Sequence, residues 1–238
     1  VMDTDPPGGK GTLVTNQTQA TQFAKLANQN KKVSMLHCSG DAAIDIGLTA
    51  YETSAKGESS NTIKRIEHFG MFQLTPNQLQ RGINLKRQNF HISVQPIWLL
   101  ELVNADYENM GSARSKTGYQ FKTMIKAGLE PAASTDMTGI YLGNIDPFKA
   151  MYATVTRQSD MGLFEPQEAI TVKEALKMWT IWPAKAMGED KVKGTIEVGK
   201  YADMTVLSDN IFTIPAERIK DVKAIKTIVG GRLVHQSN

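Results

Sequence analysis

The chain has 238 residues, 41% hydrophobic content and 21% charged residues, enough for one sizeable α/β core with a small appendage. A net charge of +3 with no Lys/Arg stripe argues against a nucleic-acid partner, and no apolar run approaches the roughly 18–20 residues that span a bilayer. The single cysteine, Cys38, rules out an intrachain disulfide and a Cys-rich metal site.

The first eleven residues, Val1 to Gly11, are polar and rich in Gly and Pro. They lack the charged-then-apolar pattern of a secretory signal and read as a loop entered from something upstream, so the true N-terminus is expected to be absent. Lack of disulfides does not fix the compartment; the cytoplasm is favoured.

From there helices and strands alternate. Thr18 to Asn30 carries Ala20, Phe23, Ala24 and Ala27 at helical spacing. Residues 32–37 form a short apolar run that suits a buried strand. Asp41 can cap a helix with Ile44, Leu48, Tyr51 and Ala55 on one face. Residues 63–68 are a second strand. Thr75-Pro76 is a cap followed by proline at the first helical position, predicting a helix to about Arg87. Residues 90–95 are a third strand, closed by Pro96. Lys116 to Ala127 is predicted helical, with Gly128 at its C-terminus, and residues 130–136 are a fourth strand. Asp146-Pro147 caps a helix presenting Phe148, Met151, Tyr152 and Val155, and Thr171 with Glu174 forms a capping box for another with Leu176 and Trp179.

Alternation at this spacing predicts parallel β/α units. Four such units make half of an eight-unit barrel, so residues 1–190 are expected to be the C-terminal half of a TIM-type (β/α) barrel. Residues 191–238 break the alternation. Short strands around Ile196, Val206 and Val229, the last beside the turn Gly230-Gly231, predict a separate β-layer.

Three metal-ligand candidates occupy corresponding places: His37 and His68 end the first two strands, and Asp136 ends the fourth. Strand C-termini of a β/α barrel converge on one rim, where active sites are built. Two imidazoles and a carboxylate there suit a divalent metal, zinc foremost. A lone strand-end His is more often a structural hydrogen-bonding residue, and it is the set of three that raises the alternative. His91 starts its strand, on the opposite rim, and reads as structural. His235 reads as solvated, and Cys38 as a small buried residue rather than a nucleophile. Gln95, Trp98 and Arg157 are weak candidates for lining a substrate pocket, each equally suited to packing.

The run His37-Cys38-Ser39-Gly40-Asp41 resembles the H-x-x-G-D segment of amidohydrolase family 3, the YtcJ-like enzymes related to N-substituted formamide deformylase. Arg65-Ile66-Glu67-His68 resembles their R-I-E-H, Ser93 to Pro96 their S-x-Q-P, and Ser134-Thr135-Asp136 their S-D strand end. Asp146-Pro147 and Val155-Thr156-Arg157 also match. Lys193 to Asp203 is similar to the K-G-S-L-x-x-G-K-x-A-D signature of amidohydrolases generally. The resemblance implies a metal-dependent barrel with a composite β-sandwich built from both chain ends. It implies His37 and His68 as metal ligands, and Asp136 as ligand and catalytic proton shuttle. The implied reaction is hydrolysis of non-peptide carbon–nitrogen bonds in a small amide or formamide. Three departures stand out: the family's early H-x-H is absent, Cys38-Ser39 replaces the usual Ala-Ile, and Thr135 matches the Gly-Ser context before Asp136 only loosely. The chain therefore reads as a fragment whose missing N-terminal half is supplied upstream or by a partner chain. The competing expectations are a deaminase of the same superfamily, disfavoured because Asp41 rather than Glu neighbours the first His, and an inactive split product that only packs against a partner.

Overall fold

A computed structural model describes residues 11–54, 62–137 and 145–237. It opens with α1 (Gln17–Gln29), β1 (Ser34–His37), α2 (Asp41–Ser54), β2 (Lys64–Glu67), α3 (Pro76–Leu85) and β3 (Phe90–Val94). Three short helices follow, α4 (Trp98–Glu101), α5 (Val103–Met110) and α6 (Ser112–Ser115). Then come α7 (Phe121–Lys126), β4 (Ala132–Ala133), α8 (Pro147–Thr156), a hairpin of β5 (Gln158–Ser159) and β6 (Gly162–Leu163), α9 (Val172–Trp179) and α10 (Ile181–Met187). The chain closes with β7 (Met204–Leu207), β8 (Ala224–Val229) and β9 (Arg232–Gln236).

The expected caps are where the sequence puts them. Thr75 accepts from the Gln78 amide while the Gln78 side chain returns to the Thr75 amide, and Thr171 with Glu174 repeats the arrangement. Each pair satisfies two amides that a helix start leaves unpaired. Asp146 caps α8 at Phe148 N, with Pro147 in the first turn. Asp41 differs: it lies inside the first turn of α2, where its charge faces the positive end of the helix dipole.

β1, β2, β3 and β4 form one parallel sheet in chain order, with Ser34 opposite Lys64, Lys64 opposite Phe90, and Ser93 opposite Ala132. Leu48, Tyr51, Ile66, Phe69, Leu85, Phe90, Ile92 and Val94 bury beneath and between these strands. The parallel order makes every strand point the same way, so their C-terminal ends share one edge.

Three expectations need correction. The fourth strand pairs over only two residues: Ser134 N still bonds Val94 O, but the backbone turns away beyond it and is left-handed at Asp136 (φ 49°). The helix expected over 116–127 begins only at Phe121. Lys116 to Tyr119 instead crosses over the turn after β2, with Leu74 N bonded to Thr117 O and Tyr119 N to Gly70 O. Ile196 is not in a strand: Gly194 and Gly199 both sit at φ 94°, and the residues between them bend through turns with Ile196 exposed. Val206 and Val229 do lie in strands, in an antiparallel sheet ordered β7–β8–β9 and separate from the parallel one. Gly230 and Gly231, both at positive φ, make its hairpin turn. The connection between β7 and β8 packs back on the main core, where Ile211, Ile219 and Val222 bury with α8. No helix among the described residues is long and apolar enough to cross a membrane.

Candidate active site

The shared sheet edge carries the predicted residues. His37 is the last residue of β1, and His68, Gln95 and Ser134 each follow the last residue of β2, β3 and β4. Inter-strand bonds hold these ends in step: Cys38 N to Glu67 O, Phe69 N to Ser93 O, and Ser134 N to Val94 O.

His37 and His68 meet there, with ring centroids 4.6 Å apart and planes at 76°. His37 Nδ1 faces His68 Nε2 at 3.1 Å. The outer nitrogen of each ring is engaged elsewhere. His68 Nδ1 is 2.7 Å from Gln95 Oε1, and His37 Nε2 is 2.9 Å from Ser39 Oγ. Trp98 lies on His68, its ring 5.2 Å away and 11° off parallel. Asp136 approaches the pair, with Oδ2 4.0 Å from His68 Nε2. His37 is exposed, His68 is buried and the Asp136 side chain is 35% exposed, so the group opens to solvent on the His37 and Asp136 sides.

Burial and the neighbouring His37 hold the His68 pKa below the usual imidazole range, against the opposing pull of Gln95, Asp136 and Glu67. His68 is therefore neutral at neutral pH, the form with a lone pair to offer a metal. Its backbone sits at φ 62°, in the left-handed region, as does that of Asp136. Non-glycine residues rarely adopt it, and it persists where the surroundings enforce it.

The remaining candidates separate. Gln95 is 1% exposed and its amide is occupied at both ends, Oε1 by His68 and Nε2 by Ser134 Oγ at 3.0 Å. Trp98 is buried against His68. Both touch a candidate ligand rather than an open cleft. Arg157 is not brought to the rim: it is 0% exposed, donates from Nε to Phe164 O and from Nη1 to Tyr119 O, and lies between the Phe121 and Phe164 rings. Cys38 is buried and its thiol is pushed up to about 12 by burial, then by Glu67, so it is no nucleophile at neutral pH. His91 is half-buried at the opposite sheet edge, bonded to Asn89 Oδ1, and His235 is exposed on β9. Ser39 was not among the predicted residues. The signal was available in its place two residues beyond His37, but a serine after a strand gives no sign by itself of which ring it will reach.

Among the described residues no three His, Cys, Asp or Glu side chains already enclose a point that would hold an ion. The donor set nevertheless fits one. Two nitrogens on a tetrahedral zinc, each about 2.0–2.1 Å from the ion, stand roughly 3.3 Å apart, close to the 3.1 Å between His37 Nδ1 and His68 Nε2. A ligating histidine normally gives its other ring N–H to an outer acceptor, and Gln95 and Ser39 stand at those positions. Asp136 stands farther off, its Oδ2 4.0 Å from His68 Nε2.

The amidohydrolase family model matches residues 5–235. This chain belongs to the amidohydrolase family. It is 29% identical over 205 residues to the N-substituted formamide deformylase of Arthrobacter pascens, an alignment covering 84% of this chain and 36% of that protein. It is 25% identical over 238 residues to the YtcJ protein of Bacillus subtilis, covering 98% and 43%. Among solved structures, an uncharacterized metal-dependent hydrolase from Pyrococcus horikoshii superposes with a TM-score of 0.73 at 26% identity, over 90% of this chain and 42% of that one. The chain thus spans less than half the length of each of these relatives.

Proposed function

We propose that this chain is the C-terminal half of a TIM-type barrel, about its last four β/α units, in a metal-dependent hydrolase of non-peptide carbon–nitrogen bonds. The substrate is a small amide or N-substituted formamide. Residues 1–190 form the half barrel and residues 191–238 one side of a composite β-sandwich. The preceding strands come from the same polypeptide or from a second chain. The single observation that carries the chemistry is the opposition of His37 Nδ1 and His68 Nε2 at 3.1 Å while both outer ring nitrogens are already engaged. With the His68 proton on Nδ1 toward Gln95, its Nε2 lone pair accepts from His37 Nδ1–H while the Ser39 hydroxyl donates to His37 Nε2. A cation would take the place of the proton between the two rings, with Ser39 then accepting from His37 Nε2.

A divalent ion there, zinc foremost, would supply Lewis acidity and bring the pKa of an attacking water to about 7. Asp136, on the solvent-facing side of the pair, is the carboxylate placed to accept a proton there and to pass one to a departing amine nitrogen. His68, kept neutral by burial, holds its lone pair toward the metal position. Trp98 covers one face of His68 and keeps water from it.

Support for an added half comes from the edge of β1. Met35 and Val33 are exposed there, beside a cavity of about 730 Å³ between residues 12–15, α1 and the β1–α2 turn, reaching His37. Among the described residues β1 pairs on one side only, and a groove along such a strand edge is the surface that a neighbouring β/α unit covers.

The test is metal content and hydrolysis of N-substituted formamides by the 238-residue chain and by the protein with its preceding strands restored. Stoichiometric metal and turnover only in the restored form is the expected result. Full activity in the short chain contradicts the half-barrel reading, and ammonia release from a heterocycle with no formamide hydrolysis transfers the reaction to a deaminase.

A further inference from the structure

Gln95 is the best-anchored side chain at the rim, and the resemblance of its motif gives it no role. It follows β3, is 1% exposed, and uses both ends of its amide. Oε1 lies 2.7 Å from His68 Nδ1, and Nε2 lies 3.0 Å from Ser134 Oγ on the strand end that leads to Asp136. Its backbone N–H donates to the Met71 sulfur, just beyond His68, at 3.3 Å. An amide oxygen only accepts, so this contact requires the His68 proton on Nδ1 and leaves the lone pair on Nε2. Nε2 is the nitrogen that faces His37 and Asp136.

We propose that Gln95 is a positioning residue that fixes the tautomer and ring angle of His68 and, through Ser134, ties the β2 and β4 strand ends into one rigid metal-ligand frame. The proposal rests on the metal reading above but makes a claim that holds without the ion. Three contacts set the ring of His68: Trp98 on its face, Gln95 at Nδ1, and the strand-end backbone at φ 62°. Of these three only Gln95 distinguishes one nitrogen from the other, and His37 and Asp136 stand on the Nε2 side. Outer partners of this kind change metal affinity by about 10–100-fold when removed.

The experiment has two arms. In the first, long-range ¹H–¹⁵N spectra of the metal-free chain report the His68 tautomer. The wild type is expected as Nδ1–H, and Gln95→Leu as a mixture or as Nε2–H. Gln95→Glu, which keeps an acceptor at the same place, is expected to retain Nδ1–H. In the second arm, Co²⁺ is titrated into the protein with its preceding strands restored. Gln95→Leu should bind about 10–100-fold more weakly, and Gln95→Glu should restore the affinity. A residue with only a packing role lowers the melting temperature of metal-free and loaded protein alike and leaves the Co²⁺ affinity and its d–d spectrum unchanged. An unchanged His68 tautomer in Gln95→Leu overturns the proposal, as does wild-type Co²⁺ affinity in that variant. If even the wild type takes up no Co²⁺, the metal reading fails and the tautomer arm decides the role of Gln95 alone. Should Gln95→Leu fail to fold, Gln95→Met, of similar shape and with no amide oxygen, takes its place in both arms.

Discussion

Trp98 lies almost flat on His68, the two rings 5.2 Å apart and 11° from parallel, so the first residue of α4 forms one wall of the site at the end of β2. The indole is 2% exposed. Trp98→Ala is therefore expected to cost about 3–5 kcal/mol of stability through the cavity it leaves, and to free the imidazole to rotate. Trp98→Phe keeps a stacked ring and should recover much of both. Urea unfolding reads the first effect, and the linewidth of the His68 ring protons reads the second.

His68 and His91 should behave oppositely under substitution. With the barrel complete, His68→Ala is expected to reduce hydrolysis by orders of magnitude and to remove bound metal. His91 packs at the other end of the strands, bonded to Asn89, and His91→Ala should lower stability while leaving KM and metal content unchanged. Equal losses of kcat for the two variants would refute the assignment of the active rim.

Burial holds the His91 pKa below its ordinary value, with Arg65 and Lys185 adding to the effect and Glu130 and Asp190 opposing it. The unfolded chain then binds this proton before the folded chain does. The contribution to stability is whole above about pH 6.5, the ordinary value, and falls away as pH drops from there to the depressed folded value. His68 adds a term of the same sign. His91→Asn should make the loss of stability between pH 7.5 and pH 5 shallower than in the wild type. A steeper loss would show that His91 is stabilised in its charged form.

Arg157 is a structural cation. Its two backbone acceptors, Phe164 O and Tyr119 O, lie on segments that the β5–β6 hairpin and the 116–119 crossing bring together. Burial lowers its pKa to about 10, still protonated at neutral pH. Arg157→Lys keeps charge but loses the planar fork and is expected to destabilise by about 1.5–3 kcal/mol. Because Tyr119 N in turn bonds Gly70 O, hydrogen exchange at Tyr119 should accelerate in the variant.

The elements legible in the sequence were those fixed locally. Thr171 with Glu174, Thr75 with Pro76 and Asp146 with Pro147 each satisfy a helix start within three residues, so their pattern is complete in one short window. α4, α5 and α6 were missed because none exceeds eight residues, too short for a helical period to stand out. Thr195-Ile196-Glu197-Val198 alternates like a strand, but no strand among the described residues pairs with it, and two glycines at positive φ turn the chain instead. At the site, the strand-end positions of His37 and His68 were readable because parallel strands bring like ends together. The places of Gln95, Trp98 and Arg157 were not, since each is decided by a partner that is remote in sequence: Ser134, His68 and Tyr119.

The segment linking β7 to β8 runs back beneath α8, where Ile219 is 0% and Val222 1% exposed, and Lys220 Nζ sits 5.2 Å from the Tyr152 ring. The C-terminal sheet is in this sense belted to the body of the protein rather than hung from it. Truncation after residue 190 would strip a buried wall from α8, the helix that follows the Asp136 strand end. Anyone transplanting this parallel α/β unit onto another scaffold would have to carry residues 208–222 along, whatever becomes of the β-strands on either side of them.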